Sequence, residues 1–248
     1  MRKRSFQVLI AWLLISLLAS APEFSGASHS NLQPRALAAP SFLDFKIYLP
    51  ITLDRELVSP MLLPNDTWFL SPYGSLHVVG EVRNDTWHHL DSVKISAGLL
   101  DRNEQLLQKE SAYTYLDYLP AGQQTCFDIT FLDPPAGWTS VKLYALDYGL
   151  DGVVLPDVTL VNTGGEYIQD SGDYLISGQV RNDQGSRISG VKPVGTLYNA
   201  AGSVIGCELS YVDSINLNPG ASSPYTIDFY GRNFRDVASF RVQVDGDY

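Results

Sequence analysis

Along Leu76 to Arg83, apolar and polar positions alternate: Leu76, Val78, Gly80 and Val82 fall on one side of an extended chain, and His77, Val79, Glu81 and Arg83 on the other. A period of two predicts a half-buried strand. Asn84-Asp85 ends it, because both side chains favour turn geometry over a ladder. The next strand places Val93, Ile95, Ala97 and Leu99 on one face, and Asp101-Arg102-Asn103-Glu104 turns the chain into a third strand from Leu106 to Tyr115. A loop at Leu119-Pro120-Ala121-Gly122 precedes a strand marked by Phe127, Ile129 and Phe131. Pro134-Pro135-Ala136-Gly137 breaks that strand, and Val141, Leu143 and Ala145 form the last one, about residues 140–148.

The same order then returns 98 residues later. Val78 to Asp85 reappears as Ile176 to Asp183, and the spacing holds without a gap from Leu62/Leu160 to Phe131/Phe229. Over residues 60–131, sixteen of 72 positions carry the same residue in the partner copy, which is enough to mark a duplicated domain rather than a short solenoid unit. Tyr174, Ile176, Gly178 and Val180 match the first strand, Val191, Gly195 and Leu197 the second, Tyr225, Ile227 and Phe229 the later one, and Phe240, Val242 and Val244 the last. Short strands at near-even spacing without a helical period predict an all-β chain of two tandem antiparallel Ig-like β-sandwich domains, at 58–149 and 150–248.

Residues 1–27 read as a signal peptide, with Arg2-Lys3-Arg4 ahead of an apolar run from Phe6 to Leu18 and small residues at Ser25-Gly26-Ala27 for cleavage. The mature chain is then expected to begin near Ser28 and to be secreted or held in the cell envelope. The apolar run is short for a spanning helix, so membrane attachment is expected only if the signal segment stays uncleaved. Residues 28–57 are a low-complexity spacer followed by a lead-in strand at Phe45 to Ile51, which ends at a proline and reads as an edge.

Charge narrows the partners. The formal charge is -10, and residues 28–248 alone hold 14 basic against 26 acidic side chains. An acidic surface repels phosphate backbones, so nucleic acid is not an expected partner. The two cysteines, Cys126 and Cys207, sit at non-equivalent places in the repeat, opposite Pro224 and Lys109. A framework shared by both domains is excluded. Two isolated thiols are the expected arrangement, and a single cross-domain bridge is the alternative in an oxidising compartment.

The strand motifs resemble those of the FxLYD domain family, small extracytoplasmic β-sandwiches of bacteria. The family's V-x-G-x-V-x-N strand is present as Val78 to Asn84 and Ile176 to Asn182, and its later loop as Leu119 to Gly122 and Leu217 to Gly220. The name-giving run is Ala97-Gly98-Leu99-Leu100-Asp101 in the first copy and Gly195-Thr196-Leu197-Tyr198-Asn199 in the second; both lack the Phe, and the first also lacks the Tyr. The resemblance covers about 190 residues and implies an extracytoplasmic sandwich; it supplies no catalytic site.

No catalytic constellation is expected. His29 lies in the spacer, His77 on a strand and His88-His89 in a loop, and neither cysteine has a histidine at a suggestive spacing. Paired metal-ligand spacings are absent, no cofactor is called for, and Asp147, Asp151 and Asp157 read as a solvated acidic linker rather than a calcium site. Arg83/Arg181, Asn84/Asn182 and Asp85/Asp183 read as residues that tie strand ends to loops, and mid-strand Gly80/Gly178 as points of close backbone approach.

The differences between copies point elsewhere. Trp68 stands opposite Glu166, Trp87 opposite Gly185, Tyr115 opposite Asp213 and Tyr118 opposite Asn216. Trp87, Tyr115 and Tyr118 are therefore the candidate patch, either for a protein or glycan partner or for the contact with the second domain. The function expected is a non-catalytic interaction or spacer protein, with a glycan- or surface-binding module as the alternative.

Overall fold

The structure, a computed structural model, describes residues 59–151 and 156–247. The expected signal segment, spacer and lead-in strand at 1–57 lie outside these residues. Every regular element described is a β-strand, and all pairing is antiparallel.

The first copy contributes β1 (Met61–Leu62), β2 (Thr67–Leu70), β3 (Leu76–Arg83), β4 (His89–Leu100), β5 (Leu106–Tyr113), β6 (Tyr118–Leu119), β7 (Gln124–Phe131) and β8 (Ser140–Asp151). β3 pairs with β1, β2 and β7 in one sheet, and β4 pairs with β5, β6 and β8 in the other. Their facing sides enclose a core of Leu76, Val78, Val82, Leu90, Val93, Ile95, Leu99, Phe127, Ile129 and Phe131, all fully buried. The second copy contributes β9 (Val158–Tyr167), β10 (Tyr174–Asn182), β11 (Ile188–Tyr198), β12 (Val204–Leu209), β13 (Asn216–Leu217), β14 (Ser222–Phe229) and β15 (Ser239–Asp247). β10 pairs with β9 and β14, β11 with β12, β13 and β15, and a separate core forms around Ile176, Val180, Leu197, Ile227 and Phe229. The repeat thus maps strand onto strand. The exception is β9, one continuous strand that bulges at Asn162 and Thr163 opposite Gly178 of β10, where the first copy has β1 and β2 in two pieces.

The shared residues hold the same local structure twice. Asn84 is fully buried; its side-chain NH2 donates to the carbonyls of His88 and Leu119, both at 2.8 Å, and its oxygen accepts from Thr86 N at 2.9 Å. Asn182 repeats this set with Ser186, Leu217 and Gln184. Arg83–Asp85 and Arg181–Asp183 close each strand end with an ion pair, at 2.5 and 2.6 Å. At Gly80 a Cβ would stand 2.7 Å from the Phe127 ring, so glycine is required by close packing there.

Three expectations are corrected. β3 is not half-buried: Val79 and Glu81 on its outer side are 0% and 1% exposed. The physical reason is that the outer face of β3 and β7 is covered by the outer face of β11, β12 and β15, and β12 lies against β2, β3 and β7. The four sheets therefore stack in one compact unit, with the sheets of β3 and β11 inside. Second, Cys126 and Cys207 are not isolated thiols. They form a disulfide across this junction, with Cα atoms 5.8 Å apart, inside the usual range. Third, β8 continues past residue 148 to Asp151, because Gly149, Leu150 and Asp151 pair with Asp91, Leu90 and His89.

Candidate functional site

The side chains on the two covered faces differ from their counterparts in the repeat, and that is how the junction is built. Glu81 stands where the second copy has Gln179, Cys126 where it has Pro224, and Val79 where it has Ser177. The Glu81 carboxylate accepts from Asn65 Nδ2 and Tyr198 Oη, both at 2.8 Å, and pairs with the Arg241 guanidinium. Burial pushes the Tyr198 phenol up to about 12. Around the disulfide, Leu116 and Val194 from opposite sandwiches make a small apolar core with Tyr115 and Leu209 at its edge. At one side of it Asp245 accepts from the backbone N of Asp117 at 2.6 Å, and Lys192 reaches the Asp117 carboxylate at 2.7 Å.

On the other side of the disulfide the two sandwiches do not close, and a cleft of about 160 Å³ remains. His77 from β3 and Asp128 from β7 are on neighbouring strands and meet diagonally on the outer face, since His77 stands opposite Thr130 and Asp128 opposite Val79. His77 Nδ1 donates to Asp128 Oδ2 at 2.9 Å, since a carboxylate can only accept, and Thr130 Oγ1 lies 3.3 Å from the same nitrogen. The His77 ring stacks on Phe69 at 5.0 Å between centroids with 5° between planes, and the Arg232 guanidinium lies 4.9 Å from the Phe69 ring centre. Glu208 of β12 faces them from the second sandwich. The hydrogen bond to Asp128 raises the His77 pKa above 6.5, against the opposing effect of burial. Burial raises the Glu208 carboxyl, with Asp128 and Asp228 adding to it, while the Leu209 N–H and His77 pull the other way.

The three aromatic residues of the sequence patch have different fates. Trp87, in the loop after β3, is 74% exposed. Tyr118 is half-buried on β6, next to that loop, because Asn84 holds the Leu119 carbonyl. Tyr115 turns instead to the junction, where burial raises its phenol well above the ordinary value, with Glu208, Asp128 and Tyr230 close enough to add to the effect. The structure brings Trp87 and Tyr118 to one end and takes Tyr115 into the contact between sandwiches.

Sequence reasoning missed the His77–Asp128 pair and its meeting with Glu208. The residues are 51 apart in the chain and joined only by strand pairing. One signal was present: the second copy has Leu175 and Thr226 at those positions, so both members of the pair change together. Among the described residues no group of three or more His, Cys, Asp or Glu is placed to hold a metal ion.

Neither a protein-family model nor a curated protein matches the chain. Among solved structures the chain is similar to red sea bream transglutaminase, at 14% identity and a TM-score of 0.25, over 78% of this chain and 30% of that one. A likeness of that degree carries nothing about activity. The fold is all-β, built of antiparallel sheets packed as sandwiches.

Proposed function

We propose that this is an exported, non-catalytic protein whose two sandwiches are clamped into one rigid body, serving as an interaction or spacer component of the cell envelope or extracellular space. The observation that carries this reading is the Cys126–Cys207 bridge, whose two half-cystines come from different sandwiches and are 0% and 4% exposed. Such bridges persist in oxidising compartments and are rare where thiols are kept reduced. The basic and apolar segment at 1–27 supports the same compartment. The motifs it shares with the FxLYD family agree with an extracytoplasmic place.

The test is mass spectrometry and N-terminal sequencing of protein recovered from the medium or envelope. A chain starting near Ser28, with no thiol open to alkylation after unfolding, supports the proposal. Soluble cytoplasmic protein with Met1 intact and two alkylated cysteines overturns it.

A second reading has one observation in its favour. Trp87, at 74% exposure on the loop after β3, presents aromatic surface of the kind that stacks on glycans. Under it, Trp87→Ala abolishes retention on cell-wall polysaccharide without changing the melting temperature.

A further inference from the structure

We propose that the cleft between the sandwiches is a binding site for an organic ammonium group, carried on a lysine side chain or an amino sugar. This gives the interaction role a ligand chemistry, and it is tested on purified protein, so it stands or falls apart from export.

Asp128 and Glu208 line the cleft from opposite sandwiches, and the Asp228 charge also reaches Glu208. Two cationic side chains lie nearby, and each is engaged. His77 is bonded to Asp128, and Arg232 pairs with Asp236 at 3.4 Å while covering Phe69. Burial raises the Glu208 carboxyl, and the charges of Asp128 and Asp228 add to it, so a cation placed in the cleft would favour the ionised acid. A cationic ligand supplies that charge, and a neutral polyol does not.

The walls fit the same ligand. Tyr73, at the tip of the β2–β3 hairpin, is 91% exposed, and Tyr230, in the loop after β14, is 66% exposed; both line the cleft, one from each sandwich. Tyrosine faces attract cations within roughly 6 Å. A cleft of about 160 Å³ is large enough for a charged head on a short stem. Glu208 repeats Glu110 of the first copy, but the first sandwich's contributions to the cleft are not repeated. Tyr73, His77 and Asp128 correspond to Ser171, Leu175 and Thr226 in the repeat, so the fold does not need them.

The experiment is an NMR titration of the full-length exported protein, disulfide intact, following the signals of Tyr73, His77 and Tyr230. The probes are Nα-acetyl-lysine methylamide and glucosamine, with Nα-acetyl-norleucine methylamide and glucose as their uncharged counterparts. Saturable shifts with either ammonium probe, and none with its counterpart, support the proposal; the probe that binds more tightly identifies a protein or a glycan source. Glu208→Gln is expected to weaken binding about tenfold, as loss of a charge partner does. Tyr73→Ala, at an exposed hairpin tip that leaves folding intact, is expected to weaken it about threefold. Equal shifts from the uncharged counterparts, or no saturable shift from either ammonium probe, overturn it.

Discussion

Arg241 on β15 pairs with Glu81 on β3 across the junction, 160 residues away in the chain, and the Glu81 side chain is completely buried there. Removing the cation strands a carboxylate that has no access to water. Arg241→Ala is therefore expected to lower stability by about 3–5 kcal/mol. Glu81→Gln, which installs the residue found at Gln179 in the second copy, is expected to cost less, because a neutral amide is left with Asn65 and Tyr198 as partners. Urea denaturation of both variants checks the order.

The disulfide joins residues 81 apart, so it removes much of the freedom of the unfolded chain. On loop entropy, replacing both Cys126 and Cys207 by Ala lowers stability by about 4.5 kcal/mol. Guanidinium denaturation gives the measurement, and wild-type protein in reductant should fall to the same midpoint as the double variant.

Two groups at the cleft set a dependence on pH in the same direction. His77 has a folded pKa above 6.5, so its stabilising bond to Asp128 is fully present below 6.5 and is lost as pH rises through the raised value. Glu208 has a folded value above 4.5; the native state keeps a proton that the unfolded state has released, and stability again falls as pH rises through that window. His77→Leu, copying Leu175, is expected to flatten the upper step, seen as melting temperatures that no longer fall between mildly acidic and mildly alkaline buffer.

Four turn positions are left-handed in both copies, and the copies fill two of them differently. Ser92 and Glu104 have φ of 52° and 60°, where the second copy places Gly190 and Gly202 at 60° and 80°. A side chain in that region costs about 1–2 kcal/mol that glycine avoids. Glu104→Gly, in a turn whose Asp101 caps Asn103 N at 2.7 Å and Gln105 N at 2.9 Å, is expected to raise stability by about 1 kcal/mol. Gly202→Ala is expected to lower it, and both are read by thermal melting.

The repeat made each sandwich legible because its information is local. Alternation at Leu76 to Val82 and the turn at Asn199-Ala200-Ala201-Gly202 fix strands and loops over a few residues at a time. The junction was hidden because the residues that make it are ordinary members of those strands. Val79 and Glu81 read as a solvent face until β12 covers them, and nothing near Cys126 points to Cys207. Tyr115 shows the same limit: its neighbours place it at the end of the third strand, and only the packing of the second sandwich decides that it is enclosed. Pairwise differences between the copies carried the signal, at His77 and Leu175, Asp128 and Thr226, Cys126 and Pro224.

A bond between Cys126 and Cys207 makes the backbone between them a closed ring that takes in β8, β9, β10 and β11. Tension applied to the chain on either side of the ring travels through the sulfurs and bypasses the enclosed segment. While the bond is intact, the 81-residue separation contributes none of the roughly 270 Å it would release when pulled straight. A stretched molecule therefore yields only the strands outside the ring, and its reach under load is set by the oxidation state of two atoms.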